Sequence, residues 1–258
     1  MPCWNRWRAG SDRKKKMEPT DVKTLAKFAA SALAAAAAFA SLPAAAQDLP
    51  NSKPRGNWNT VINEVDGGHV LGNPDAEARL VEFMSYTCSH CAEFTKTGES
   101  AIKLLYVPSG KVSYEVRHLI RDPVDLTAAL AAQCGAPDKF FANHTALLMK
   151  YPDWMAKARS MTQAQMARWN FGSFAARSQA IASDLDFYEI METRGYSRIA
   201  LDDCLKDENR ARAIAAQSQA DVAKYGLRGT PTFIMGGETL DAHDWPRLQP
   251  YLDALYKK

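Results

Sequence analysis

Leu80-Val81-Glu82-Phe83-Met84 is a short apolar run that reads as a buried strand, and Cys88-Ser89-His90-Cys91 opens the helix that follows it. No other stretch limits the fold so tightly. A C-x-x-C at a helix start puts two sulfurs on one side of a single turn, within reach of a reversible bond. The first sulfur sits where unpaired N–H groups and the positive end of the helix dipole favour a thiolate. His90, between the cysteines, offers a cationic form that would lower the Cys88 thiol further. A stabilised thiolate leaves readily, so the disulfide form passes easily to another thiol.

Such a pair is useful where disulfides persist, and the start of the chain bears on that. Lys23 and Lys27 precede an Ala-, Leu- and Phe-rich run over 28–42, and Pro43-Ala44-Ala45-Ala46 then supplies small residues for cleavage before Gln47. That order predicts a secretory signal over 1–46, with Met17 as an alternative start. The rival reading is a short membrane anchor, which needs ~20 apolar residues; the run has 15. The signal also explains the net charge of +3. Residues 1–46 hold eight Lys/Arg against three Asp/Glu, and without them 24 basic and 26 acidic side chains remain. That balance points to neither nucleic acid nor an anionic surface.

Five cysteines become four if Cys3 leaves with the signal. An even number suits an exported protein. Cys88 and Cys91 form one natural pair, which leaves Cys134 and Cys204 as an expected structural disulfide. Two buried free thiols are the alternative, because connectivity is not written in sequence.

Polar residues 47–59 read as a flexible arm. Strands are expected over 60–65, 69–72, 79–84 and 111–119, with a helix over 88–106 whose inner face carries Phe94, Ala101, Ile102 and Leu105. A strand, helix and strand in that order favour a parallel pair with a right-handed crossover. From 125 to 225 strand signals vanish. Helices are expected over 126–133, 140–150, 163–169, 174–184, 199–205 and 207–225, the last with Ile214, Val222 and Tyr225 inward and Gly226 as its stop. Strands return over 230–235 and 238–240, and a helix over 244–256 closes the chain.

The strand, C-x-x-C helix, second strand, helical insertion and Gly229-Thr230-Pro231-Thr232-Phe233 hairpin resemble a DsbA-like thiol:disulfide oxidoreductase of the thioredoxin superfamily. The resemblance implies an α/β, thioredoxin-like fold with an inserted all-helical subdomain: a core domain over 60–124 and 226–258, and the insertion over 125–225. It implies that Cys88 is the exposed nucleophile, Cys91 the buried partner that resolves or re-forms the bond, and His90 the residue that stabilises the Cys88 thiolate. The Thr230–Pro231 bond would be cis, with its backbone facing the sulfurs and pairing with an extended substrate. Glu82 matches a position where a buried carboxylate moves protons to and from the second cysteine.

As a whole, the resemblance points to a monomeric, periplasmic dithiol oxidase without a bound cofactor beyond the Cys88–Cys91 disulfide. Its partners would be unfolded or partly folded exported proteins, and a DsbB-like membrane quinone reductase would reoxidise it. Two departures leave the potential open: the dipeptide is Ser89-His90 rather than Pro-His, and Thr230 rather than valine precedes the proline, as in disulfide isomerases and several DsbA-like proteins. Isomerases of that kind carry an N-terminal dimerisation domain, for which 47–59 is too short. A reductase of the same fold, and an exported peptide-binding or holdase protein with an inert disulfide, are the rivals.

Other residues read more plainly. A zinc site needs ligands beyond Cys88, His90 and Cys91, and no second C-x-x-C follows. His69, His118, His144 and His243 are isolated in sequence and read as core or surface. Met149, Met155, Met161 and Met166 read as helical core or groove lining, and Trp154 and Trp169 as packing anchors.

Overall fold

The structure, a computed structural model, describes residues 56–257. The expected signal over 1–46, and the arm as far as residue 55, lie outside the described residues.

Among the described residues six strands form one sheet: β1 (Ile62–Val65), β2 (Gly68–Leu71), β3 (Ala78–Met84), β4 (Val112–His118), β5 (Thr232–Met235) and β6 (Glu238–Thr239), in the order β1-β2-β4-β3-β5-β6. β3 and β4 are parallel, with Leu80 opposite Tyr114 and Met84 opposite His118, as the strand–helix–strand order leads one to expect. The other pairs are antiparallel. β3 is the central strand, flanked by β4 and β5, which is why its apolar run is nearly continuous. Its side chains alternate between faces. Leu80, Glu82 and Met84 share a face with Tyr114, Val116 and His118, and that face meets the main core. Val81 and Phe83 point the other way, into a small cluster with Leu227 and Ile234.

α1 (Ser89–Phe94) leaves the end of β3 and continues through π-helical turns at Thr95–Glu99 and Ile102–Tyr106. A π turn spans one residue more than an α turn, so each one rotates the inward face. Ile102 and Tyr106 are therefore buried, while Leu105, expected inward, is 63% exposed. Gly98 lies in the first π turn against the Phe94 ring, where an added Cβ would come within 2.3 Å of it. That close approach lets Phe94 pack on Phe233, ring centroids 4.7 Å apart.

Eight helices lie between β4 and β5: α2 (Pro123–Ala132), α3 (Phe140–Met149), α4 (Tyr151–Arg159), α5 (Gln163–Asn170), α6 (Phe174–Asp184), α7 (Phe187–Glu192), α8 (Arg198–Leu205) and α9 (Glu208–Tyr225). α10 (Trp245–Ala254) closes the described chain. Two of these, α4 and α7, are absent from the sequence reading. Pro152 punctuates the sequence there, yet it sits in the first turn of α4, where a missing N–H is harmless. α7 starts abruptly from Asp186 in the left-handed region, φ 61°.

Ile214 of α9 is buried as expected, but Val222 faces solvent and Tyr225 is half-buried. The inward position belongs instead to Asp221, whose carboxylate accepts from Arg117 Nη1 of β4 at 3.0 and 3.1 Å. An ion pair, invisible to an apolar pattern, sets the face of this helix. Gly226 ends it at φ 63°, a conformation that a Cβ disfavours.

Trp154 is fully buried, donates Nε1–H to the Leu147 carbonyl at 2.9 Å and packs edge-on against Tyr151 and Phe187. Trp169 donates to Asp184 at 2.8 Å. The methionines are less internal than expected, with Met149 and Met166 exposed. Met149 lines a groove with Trp154 and Ile190. Cys134, just beyond α2, is bonded to Cys204 of α8, with Cα atoms 5.6 Å apart. Among the described residues no helix is long and apolar enough to cross a membrane.

Candidate active site

β3 ends at Met84, the chain turns through Ser85-Tyr86-Thr87, and Cys88 becomes the N-cap of α1 in extended conformation, φ −99° and ψ 120°. Its N–H donates to the Ser85 carbonyl at 3.2 Å. Both Cys88 and Cys91 are free thiols. Cys91, one turn on, is 0% exposed, and Cys88, expected to be exposed, is itself nearly buried at 5% because the loop around Thr230 lies over it, whereas Ser89 and His90 face solvent. The Thr230–Pro231 bond is cis, and the Cys88 thiol donates to the Thr230 carbonyl at 3.2 Å. The structure thus brings Cys88, Cys91, Thr230 and Pro231 together.

The electrostatics of the two sulfurs are opposed. The Cys88 thiol is lowered to about 4, chiefly because the Cys91 thiol donates to it. Burial pulls the other way, and the Thr230 hydroxyl and the N–H groups of Cys91 and His90 add to the lowering. The Thr230 carbonyl accepts only from the neutral thiol. For the thiolate the relevant donor is the Thr230 hydroxyl, which is buried and has no other partner. His90 contributes its backbone N–H to the sulfur at the helix start. Cys91 is pushed well above the ordinary thiol value by burial, by its bond to Cys88 and by the Glu82 charge.

Glu82 points inward from β3 and is buried. Burial raises its carboxyl to about 8, against the hydrogen bond it accepts from the Tyr114 hydroxyl. Glu99 and Cys88 raise it further, and Lys103 opposes them. Glu99 itself is held down to about 2: burial works against ionisation, but His144 and Lys103 outweigh it. Two buried carboxyls near one another are thereby kept in opposite protonation states.

Several residues around the site escape the sequence reading. Asp122 caps α2, and its carboxylate accepts from Thr87 Oγ1 at 2.8 Å. Asp125 is fully buried and accepts from Ser85 Oγ at 2.6 Å, Tyr86 N at 2.8 Å and Arg121 N at 3.0 Å. His243 Nδ1 lies 3.2 Å from the Pro231 carbonyl. An aspartate before a proline is a helix-start signal that points to Asp122 as a cap; no such signal singles out Asp125. His69, His118 and His144 gather in the core around Phe140, with His69 stacked on its ring at 3.8 Å. Among the described residues no cluster of three or more His, Cys, Asp or Glu side chains could hold a metal ion.

Residues 64–254 match the family described as thioredoxin. This chain belongs to the thioredoxin family. A protein-disulfide isomerase from Novosphingobium aromaticivorans shares 43% identity, with a TM-score of 0.72, over 76% of this chain and 100% of that one. The Wolbachia pipientis α-DsbA1 structure, at 21% identity and TM-score 0.58 over 77% and 96% of the two chains, shares the fold. With helices filling the span between β4 and β5, the architecture is the DsbA-like variant of the thioredoxin fold. A Rickettsia typhi relative named as a protein-disulfide oxidoreductase is 25% identical over 193 residues, 74% of this chain and 63% of its own length. The Rickettsia bellii counterpart is 25% identical over 195 residues, 75% of this chain and 66% of its own. The chain therefore spans just under two thirds of those two curated relatives.

Proposed function

We propose that this chain is an exported thiol:disulfide oxidoreductase that oxidises dithiols in folding proteins. The observation that carries the reading is the arrangement of the pair: two free thiols one helical turn apart, Cys88 at the helix start beside the cis Thr230–Pro231 bond and lowered to about 4, and Cys91 buried and raised behind it. A client thiolate attacks Cys88 Sγ of the Cys88–Cys91 disulfide. The S–S bond breaks, Cys91 leaves with the electron pair and a mixed disulfide forms on Cys88. A second client thiolate then attacks its own half of that bond, and Cys88 leaves as the stabilised thiolate. Two electrons have moved from client to enzyme. A stable reduced form makes the oxidised form a strong donor of its disulfide.

In this reading, Glu82 supplies the proton that Cys91 takes up as it leaves and removes it during reoxidation. The backbone at Thr230 and Pro231 pairs with the client segment, and the site is the Cys88–Cys91 disulfide alone, with no added cofactor. Clients are unfolded or partly folded exported proteins, reoxidation comes from a quinone-linked membrane protein, and the enzyme works as a periplasmic monomer. The 43% identity to a protein named as an isomerase favours a second reading, in which the same pair reshuffles wrong disulfides.

Equilibration against glutathione buffers, together with assays on a reduced unfolded protein and on a scrambled one, separates the two. An oxidase restores activity to the reduced substrate. Repair of the scrambled substrate alone would overturn the oxidase reading. Glu82→Gln is expected to slow the steps in which Cys91 gains or loses a proton, on the order of 10²-fold. It should also remove the inflection near pH 8, above which Glu82 no longer carries its proton. Stopped-flow rates across pH check this, and an unchanged profile removes Glu82 from the mechanism.

A further inference from the structure

The turn between β3 and Cys88 is held from outside the C-x-x-C helix, by the first turn of α2. Asp125 accepts from the Ser85 hydroxyl and from the Tyr86 and Arg121 backbone N–H groups, at 2.6, 2.8 and 3.0 Å. Ser85 Oγ in turn accepts from Thr87 N at 3.2 Å, and the Ser85 carbonyl accepts from Cys88 N at 3.2 Å. Each residue from Ser85 to Cys88 is therefore tied, directly or through one partner, to a single buried carboxylate. A carboxylate with three donors is an acceptor-only hub, and protonation forces the Ser85 hydroxyl to turn round and accept, so that its donation to the carboxylate is given up.

We propose that Asp125 is a positioning residue for thiol–disulfide exchange, whose ionised carboxylate fixes the Ser85–Thr87 turn and so holds the Cys88 sulfur beside Thr230. This rests on the oxidoreductase reading. Asp125 touches no reacting atom; it acts through the turn.

Burial raises the Asp125 carboxyl to about 7, against the bonds from Ser85, Tyr86 and Arg121, and Asp122 raises it further. The groups around it are few. Asp122 stands on its own helix, and Arg121 reaches from the preceding loop to the Thr87 carbonyl at 3.5 Å. Arg177 of α6 lines the groove beside Arg121 and Asp122. From the β3 end comes the Tyr86 phenol, which meets His144 of α3 at 3.0 Å. α9 offers the Ser218 hydroxyl, which accepts from Ile120 N. Asp125 is thus ionised above about pH 7 and protonated below it. The turn is fixed on the alkaline side and loosened on the acid side.

The test is the single-turnover rate at which the reduced protein attacks a short peptide disulfide, which does not itself titrate. Cys88 is ionised above about 4, so thiolate supply is complete well before neutrality. The wild-type rate is expected to level off and then rise roughly tenfold across pH 7 as the turn locks, since a displaced attacking atom costs one to two decades. Asp125→Asn should hold the rate at the lower plateau and erase the step. Ser85→Ala removes one bond that favours the carboxylate, so its step should move to higher pH, an effect that a purely structural role would not produce. Ser85→Ala also serves if Asp125→Asn fails to fold. A wild-type rate already flat from pH 5 to 9, or a step unmoved in both variants, overturns the positioning role and leaves the oxidoreductase reading intact. A rate that follows an ordinary thiol, still climbing through about pH 8.5, overturns the oxidoreductase reading instead.

Discussion

Cys88→Ala abolishes disulfide transfer, while Cys91→Ala, which has no Cys88–Cys91 disulfide to donate, still attacks a client disulfide through Cys88 and stays joined to it: this pair of outcomes is the largest effect expected of any substitution here. The reason lies more in ionisation than in exposure. Cys88 is only 5% exposed but its thiol is lowered to about 4, whereas Cys91 is 0% exposed and its thiol is pushed up by burial, so it can neither meet a client nor ionise readily without Cys88. With Cys88 gone no covalent path remains, and transfer should fall by at least about three decades, to the uncatalysed rate. Oxidation of a reduced unfolded protein, followed by thiol titration, checks the first variant. Incubation of Cys91→Ala with a disulfide-bonded client, followed by non-reducing gels that show a stable mixed disulfide, checks the second. Residual transfer by Cys88→Ala above background would move the nucleophile elsewhere.

The same sulfur gives a pH signature. The folded Cys88 value, about 4, lies below the ordinary thiol value of 9.0. A group lowered on folding binds fewer protons in the native state, so its stabilisation is fully present above the ordinary value and declines as pH falls toward the folded one. The reduced protein should therefore lose stability relative to the oxidised protein as pH drops from 9 to 4, and reduced Cys88→Ala should lack that slope.

How far the sequence leads depends on which contacts are local. The turn from β3 into α1 was readable because an apolar run, a break and an N-capped pair of cysteines follow one another within fifteen or so residues. The parallel β3–β4 pair followed from chirality and connection length. The inner face of the active-site helix was misread at Leu105 because a 3.6-residue period contains no π turns, and two of them intervene. Val222 was misplaced because Asp221 earns its inward position from Arg117, on a strand far along the chain. Of the site, the cysteines announce themselves, but Thr230 and Pro231 were tied to them by family likeness rather than by any local pattern. Asp125 is the instructive miss. Carboxylates belong in first turns for reasons of helix dipole alone, so nothing in its position separates a solvated cap from the hub that holds Ser85, 40 residues away. Likewise Tyr114 reads as a good strand former, and its hydroxyl bond to Glu82 becomes visible only when β3 and β4 lie side by side.

The second large effect concerns stability. Cys134→Ala with Cys204→Ala opens a bridge between residues 70 apart in sequence. In the chain-entropy account, closing such a loop removes unfolded-state freedom worth about 4 kcal/mol. The native side should change little, because other bonds hold the Cys134 end. Its carbonyl accepts from Tyr196 Oη at 2.6 Å and Asn143 Nδ2 at 3.2 Å, and Asn143 also donates to the Ala132 carbonyl at 3.2 Å. The loss should therefore come from a freer unfolded chain. That predicts a lower urea midpoint together with a steeper dependence on urea, since an uncrosslinked chain exposes more surface. At about 2–4 °C per kcal/mol for a chain of this size, the melting temperature should fall by roughly 8–16 °C. The measurement needs Cys88 and Cys91 held in one redox state in both proteins, so that their own contribution cancels. Equal midpoints would mean that the bridge does not restrain the unfolded chain, and the stapling of α2 to α8 would then have to be explained by its effect on the native state alone.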